Sequence, residues 1–420
     1  MSKNLNKKKQ VNHSKKVNKK KHRSFSKELD VIVKRLKQYP GVDFPLCAIT
    51  VALIIFGVIM VSSASYYWSM DKFGSTYGYL IKSSIWAVAG GLIMYVCSYI
   101  DYHVYRKWYR IVMVISVVLL CLIFTPLGHE VGGATRWLDF KVITLMPGEI
   151  AKIAAIIFTA GFLSRRNIDD FKGTILPLLA LCGVYGGLIM MQPNMSTAVT
   201  VVMIICAMMF IAGLDMKYVV TVLIAGVVLC IPLAMADYRM HRVLSFLDPF
   251  EDPLGISFQV VQSLMALGSG GLFGKGLGNS VQKNLYLPEP MNDFILAIIG
   301  EELGYIGILL LIATFCVLIW RGIKVAMNAP DRFGFYLASG VIVMIGIQFA
   351  MNIAIVTSSM PPTGIALPFI SYGGNAMMIF CAGMGIVLNI SRQGKLKANK
   401  EKLLEAERER IIVDKGRNIK

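Results

Sequence analysis

Between Leu46 and Ile390 this chain returns ten times to an apolar run long enough to cross a bilayer, which rules out most folds at once. The runs lie at Leu46–Ser63, Tyr79–Ile100, Tyr109–Thr125, Pro147–Ser164, Gly173–Met191, Ser196–Leu214, Tyr218–Met235, Asp293–Trp320, Phe333–Thr357 and Leu367–Ile390. In hydrocarbon every backbone N–H and C=O needs an internal partner, so spans of this length are helices. The fold class is all-α: a polytopic membrane protein of about ten transmembrane helices. Composition agrees, since 55% of the 420 residues are hydrophobic and the mean hydropathy is +0.61. About 45 residues precede the first run and no small-residue cleavage site follows it, so it reads as a retained span, not a signal peptide.

The net charge of +18 suggests nucleic acid until its distribution is read. Residues 1–40 carry 14 Lys/Arg against 2 Asp/Glu, and residues 391–420 carry 10 against 5. The body between them is nearly neutral, with 19 basic and 18 acidic side chains. Basic tails beside apolar spans follow the positive-inside tendency and attract anionic lipid; no nucleic-acid partner is expected. Arg106/Lys107/Arg110, Arg165/Arg166/Lys172, Lys217 and Arg321/Lys324/Arg332 fall in alternate loops. That places both termini in the cytoplasm and calls for an even number of spans.

Three regions follow: a basic tail, 1–40, with an amphipathic stretch at Lys27–Gln38; a membrane domain, 41–390; and a charged helical tail, 391–420. Within the membrane domain, Asp237–Asn292 forms a large outer loop between spans seven and eight, longer than an ordinary connection. Its apolar run Phe258–Leu267 is expected to lie on or dip into the membrane. The glycine run Gly268–Gly278 is no P-loop, because Gly276 follows Lys275 where Ser or Thr is required; it reads as a flexible outer loop. Asp248-Pro249 and Asp252-Pro253 read as turns. The eight cysteines all fall within or at the edge of spans and read as packing residues.

The chemistry gathers on one side. Leu287–Gly304, L-P-E-P-M-N-D-F-I-L-A-I-I-G-E-E-L-G, sets Asp293 at the mouth of span eight and Glu301 and Glu302 inside it. Carboxylates at such depth cost about 2.5–3.5 kcal/mol at a span centre on insertion scales, so they pair or they act. Asp293 is either a helix cap or a reacting group. Glu301 and Glu302 read as bonded to neighbouring spans. Glu149 and Lys152, one turn apart, share a face and form either an ion pair or a substrate contact. Arg136, Lys141, Arg239, Arg242, Lys275 and Lys283 are cations on the outer side, against the usual bias, and an anionic substrate there would account for them. Gln192, Pro193 and Asn194 break the chain between spans five and six. Pro361, Pro362 and Pro368 lead into Ser371, Tyr372, Gly373 and Gly374.

These segments carry a resemblance. G-A-T-R-W at Gly133–Trp137, P-G-E-x-x-K at Pro147–Lys152, Q-P-N-M-S-T at Gln192–Thr197 and F-L-D-P-F-E-D-P at Phe246–Pro253 resemble the FtsW/RodA/SpoVE (SEDS) family. So do the run Gln262–Lys283, the L-P-E-P-M-N-D-F-I block, and L-P-F-I-S-Y-G-G at Leu367–Gly374. The match covers about residues 45–392 in order, and the L-G-N-S-V-Q-K spelling is nearer the division and sporulation branch. Three motifs depart from the pattern, at five positions: Gly148 stands for a serine, Asn194 and Ser196 for an acid and a glycine, and Asn375 and Ala376 for serines. The resemblance implies a ten-span enzyme of the bacterial cytoplasmic membrane that polymerises lipid II into peptidoglycan strands on the outer face. It implies work beside a class B penicillin-binding protein and other division or sporulation membrane proteins. Its catalytic acid maps onto Asp293. Substrate-binding candidates are Arg136, Glu149, Lys152, Gln192, Gln262 and Ser371.

Such a reaction suits a single carboxylate. A lipid-pyrophosphate donor brings its own leaving group, so one base that takes the acceptor hydroxyl's proton gives displacement with inversion. Glycosidases instead need two close carboxyls. Asp293 and Glu301 would stand about 12 Å apart along a helix at 1.5 Å per residue, too far for that. Arg136, Lys152 and a divalent cation (Mg or Mn) are candidates to steady the departing pyrophosphate. Two rival readings remain: a lipid-precursor flippase, toward which Glu301 and Glu302 lean, and a non-catalytic scaffold, toward which Asn194 and Ser196 lean.

Overall fold

The computed structural model describes residues 41–131, 134–141, 144–166, 168, 170–218, 220–221, 246, 248–253, 255 and 257–417. The amphipathic stretch Lys27–Gln38, nearly all of the expected seventh span, and Arg239 and Arg242 lie outside them. The described residues form eleven α-helices: α1 Phe44–Ala64, α2 Tyr66–Phe73, α3 Gly78–Tyr99, α4 His103–Leu122, α5 Pro147–Leu163, α6 Leu176–Met190, α7 Met195–Ile211, α8 Phe258–Ser269, α9 Ile295–Met327, α10 Arg332–Val356 and α11 Gly374–Arg417. Residues 43–391 make one compact unit. The described residues from 392 onward belong to a second, in which α11 continues as a charged helix.

This is an α-helical, multi-pass membrane protein. Among the described residues, six helical segments are long and apolar enough to cross a membrane: Phe44–Ala64, Gly78–Tyr99, Phe171–Met190, Ile295–Met327, Arg332–Val356 and Gly374–Arg408. Helices α4, α5 and α7 stand where three further spans were expected. Local signals set the starts. Asp43 caps α1 by accepting from the Leu46 amide at 3.0 Å, and Asp331 caps α10 through the Gly334 amide at 2.9 Å. Asn194 caps α7 through Thr197 at 3.3 Å.

Helix α5 lies at the centre, with every residue except Ile150 buried. It packs on α4, α7 and α10. Small residues allow that closeness: a Cβ on Gly340 of α10 would stand 2.6 Å from Ile156, and one on Gly161 of α5 would stand 2.7 Å from the Tyr109 ring. Helices α1 and α3, by contrast, present rows of exposed Ile, Val, Leu and Tyr, the surface a lipid-facing helix shows.

Besides the helices, β1 (Gly128–Val131), β2 (Ala134–Asp139) and β3 (Thr144–Leu145) form a small three-stranded antiparallel sheet between α4 and α5. Two expectations need correction. The eighth span is not one rod, because Gly304 (φ 70, ψ −171) breaks α9 into a short leading helix and a long one. The run at Phe258–Leu267 forms α8, which packs on α9 and α10; Ser263 donates to the Val356 carbonyl at 3.0 Å. The glycine run is fixed against α9 and is described with the site.

Candidate active site

Asp293 stands just ahead of α9. The helix takes Phe294 as its N-cap position. Its side chain is half-buried beneath a strap, residues 361–367, which crosses between α10 and α11. Gly364 in that strap has φ +72, and a Cβ there would lie 3.0 Å from Asp293 Oδ2. Asn352 of α10 donates to the Asp293 carbonyl at 2.8 Å and to the Ile365 carbonyl at 2.7 Å. The Tyr372 amide donates to the Met291 carbonyl at 2.9 Å, which binds the approach to α11 to the same shelf. Ser371 Oγ accepts from the Leu367 amide at 2.8 Å and closes that turn.

A buried polar group lies across the strap. Lys152 pairs with Glu149 at 2.7 Å and donates to Gln348 Oε1 at 2.9 Å; only 3% of its side chain is exposed. Ser196 donates to the Thr363 carbonyl of the strap at 2.6 Å. Arg136, on β2, donates to the Pro193 carbonyl and so joins the sheet to the break before α7. Gln192 donates to the Leu120 carbonyl at 3.0 Å, and Gln262 is buried on α8. Several enclosed atoms here have no hydrogen-bond partner among the described residues: Glu149 Oε2, Gln348 Nε2, Asn194 Nδ2, Arg136 Nε, Thr363 Oγ1 and Asn352 Oδ1. Buried polar atoms in folded proteins are almost always satisfied, so their concentration marks this region as built for polar occupants.

Glu301 and Glu302 are wholly enclosed. Glu301 receives Lys275 at 2.7 Å, the Val281 amide at 3.0 Å, the Gln282 amide at 3.2 Å and the Ser280 hydroxyl. Glu302 receives Lys283 at 2.9 Å and Ser63 of α1 at 2.7 Å. The glycine run makes this possible. Gly270 and Gly274 lie so close to α9 that a Cβ would fall 2.0 Å from the Gly300 oxygen and 2.2 Å from the Glu302 oxygen. Amides of Lys275 and Gly276 bond the Glu301 and Glu302 carbonyls at 2.9 and 3.0 Å. The run is a clasp closed on the α9 break, not a flexible loop. Lys275 and Lys283, read from the sequence as outer cations awaiting an anion, already have one each.

Among the described residues no three His, Cys, Asp or Glu side chains come together as a cation site.

Sequence reasoning missed Gln348 and Asn352. The signal was present: two amides at i and i+4 share one face of an otherwise apolar span. Thr363 and Gly364 gave less, since a strap's position over a distant carboxylate is a tertiary fact.

A family model described as "Cell cycle protein", that of FtsW, RodA and SpoVE, matches residues 45–396. Stage V sporulation protein E of Bacillus subtilis (strain 168) is 41% identical over 357 residues, covering 84% of this chain and 98% of that protein. A protein named probable peptidoglycan glycosyltransferase FtsW, from Geobacter sp. (strain M18), is 38% identical over 360 residues, covering 85% and 98%. Among solved structures, a chain from a study of polymerization and crosslinking by a peptidoglycan synthase complex superposes with a TM-score of 0.70 at 24% identity, covering 85% of this chain and 99% of that one. The rod shape determining protein RodA of Thermus thermophilus gives 0.64 at 24% identity, covering 85% and 98%. These last two speak for the fold; the family match and the relatives speak for descent, and by them the chain belongs to the FtsW/RodA/SpoVE family.

Proposed function

We propose that this chain is a peptidoglycan glycosyltransferase that polymerises lipid II at the outer face of the bacterial cytoplasmic membrane, in cell division or sporulation. It spans the membrane ten times with both termini inside, and it works with a class B penicillin-binding protein. The relatives' names and the complex in which one structural neighbour was solved support the activity and the partner. Anionic lipid at the inner surface attracts the two basic tails.

Asp293 is the general base, and one observation carries that assignment. Of Asp293, Glu301 and Glu302 it alone keeps a partly exposed side chain, whereas the two glutamates are enclosed with lysines; Glu289, earlier in the motif, is exposed at the surface and receives the Asn292 side-chain amide at 2.6 Å. The acceptor sugar's hydroxyl gives its proton to Asp293 as its oxygen attacks the donor's anomeric carbon. The bond from that carbon to the undecaprenyl pyrophosphate breaks, and the configuration inverts. Arg136, half-buried with Nε unengaged, meets the pyrophosphate. Glu149 and Lys152, neutralised by each other, orient the polar wall opposite, with Gln192, Gln262 and Ser371 holding its supports. The transport reading loses its best argument, because fixed ion pairs hold the two glutamates that favoured it.

The test is glycan-strand formation from purified lipid II by wild type and by an equally folded Asp293→Ala variant, each with its partner. Polymer from wild type alone supports the assignment. Equal polymer from both removes Asp293 from the role. No polymer from either, with lipid II still crossing vesicle membranes, favours the flippase.

A further inference from the structure

We infer that Asn352 is a positioning residue for Asp293: its single amide nitrogen ties the backbone of the base to the strap above it and so fixes the carboxylate in the site. The inference rests on the reading of Asp293 as the base.

Asn352 is completely buried in α10, at a level where a leucine would pack without needing any partner. Its Nδ2 donates at 2.8 Å to the Asp293 carbonyl, 59 residues earlier in the chain, and at 2.7 Å to the Ile365 carbonyl, 13 residues later. Reversing the amide would set its oxygen against two carbonyl oxygens, so the hydrogen-bond network fixes its orientation. The leading turn of α9 cooperates. The Ala297 amide bonds the Phe294 carbonyl at 2.9 Å, a tight i to i−3 contact, and the Asp293 carbonyl faces the asparagine.

Between its two anchor points lies the geometry that matters for a base. Gly364 sits one residue before Ile365, and its left-handed backbone leaves the Asp293 carboxylate just enough room: a Cβ there would be 3.0 Å from Oδ2. One amide thus sets the separation between the residue bearing the carboxylate and the strap that covers it. Ser196 secures the same strap from the other side, through the Thr363 carbonyl. The remaining Asn352 atom, Oδ1, is buried without a hydrogen-bond partner. The side chain is therefore kept for its donors, not for general satisfaction of the span. A shift of about 1 Å in a reacting group lowers rates by about a hundredfold, so such a tie acts on turnover.

The test uses the full chain with its penicillin-binding protein and titrates lipid II against wild type and the Asn352→Ala, Asn352→Ser and Asn352→Asp variants. Asn352→Ala is expected to lower kcat by about ten- to a hundredfold with KM within about twofold. Asn352→Ser, which keeps one hydroxyl donor, recovers part of kcat; Asn352→Asp, isosteric but without the N–H donors, does not. If Asn352→Ala does not fold, the Ser and Asp variants carry the comparison. A kcat within twofold of wild type in Asn352→Ala overturns the inference. So does a rise in KM at unchanged kcat, or an equal loss in all three variants that follows their thermal unfolding. Asp293→Asn is measured alongside. If it stays active, the base assignment itself fails. If it is inactive while Asn352→Ala turns over normally, only the positioning role fails.

Discussion

Asp293 and the pair Glu301–Glu302 lie eight residues apart in one motif, and the molecule treats them in opposite ways. The glutamates are enclosed, each with a lysine delivered by the glycine clasp and with further donors from serine hydroxyls or backbone amides. Asp293 is held by its backbone, through Asn352, and its carboxylate stays half-exposed beneath a glycine. Full enclosure with lysines builds structure. Partial exposure leaves a carboxylate that substrate and solvent can reach.

The largest effect separates the two regions outright. Asp293→Asn should lower polymer formation by about 10²–10⁴-fold, the range for a general base, while thermal unfolding of the purified protein barely moves. Glu302→Ala should do the reverse. It strands Lys283, whose side chain is 5% exposed, and breaking one side of a buried pair costs about 3–5 kcal/mol. Folded yield and unfolding temperature should drop, while the folded fraction keeps its turnover. If Asp293→Asn unfolds the protein, or Glu302→Ala silences a well-folded one, the contrast is wrong. A double replacement sharpens it. Lys283→Met with Glu302→Met removes both charges, and it should be more stable than either single change, since apolar substitutes for a whole buried pair are often neutral or better.

How much of this was legible in the sequence follows from the range of each interaction. The spans were legible because their signal is local and repeated, as was the one-turn Glu149–Lys152 pair. The sheet at 128–145 was not, because its strands are short and follow Gly128 in what reads as a loop. Lys275 and Lys283 stood out as misplaced cations, and Glu301 and Glu302 as misplaced acids. That each anomaly answers the other depends on a clasp closing over 26 and 19 residues, which no local pattern reveals. The glycines were misread for the same reason. Their freedom serves close approach to α9, whereas flexibility was the only reading available without the partner helix.

Two left-handed glycines extend the contrast at smaller scale. A non-glycine residue at such a φ costs of order 1–3 kcal/mol. Gly274→Ala (φ +79) also drives a methyl onto the Glu302 carbonyl, so the loss should appear in the unfolding temperature. Gly364→Ala (φ +72) meets only the tip of the Asp293 side chain, which moves aside, so turnover should fall by about tenfold beyond any change in stability. Equal effects of the two on stability, with turnover intact in both, would erase the distinction between clasp and strap.

The smallest effect belongs to Lys275. It meets Glu301 at 2.7 Å, but its side chain is one-third exposed, and Glu301 keeps Ser280 and the amides of Val281 and Gln282 when the lysine is gone. Water can reach the vacated side, so Lys275→Ala should destabilise by only about 1 kcal/mol or less, and less again at high salt. Lys283→Ala, at the enclosed end of the same clasp, should cost several times more. Chemical or thermal unfolding of the two variants at low and high salt makes the comparison. Equal losses would mean that burial does not grade the clasp from its rim inward, and that Glu301 depends on its lysine as fully as Glu302 does.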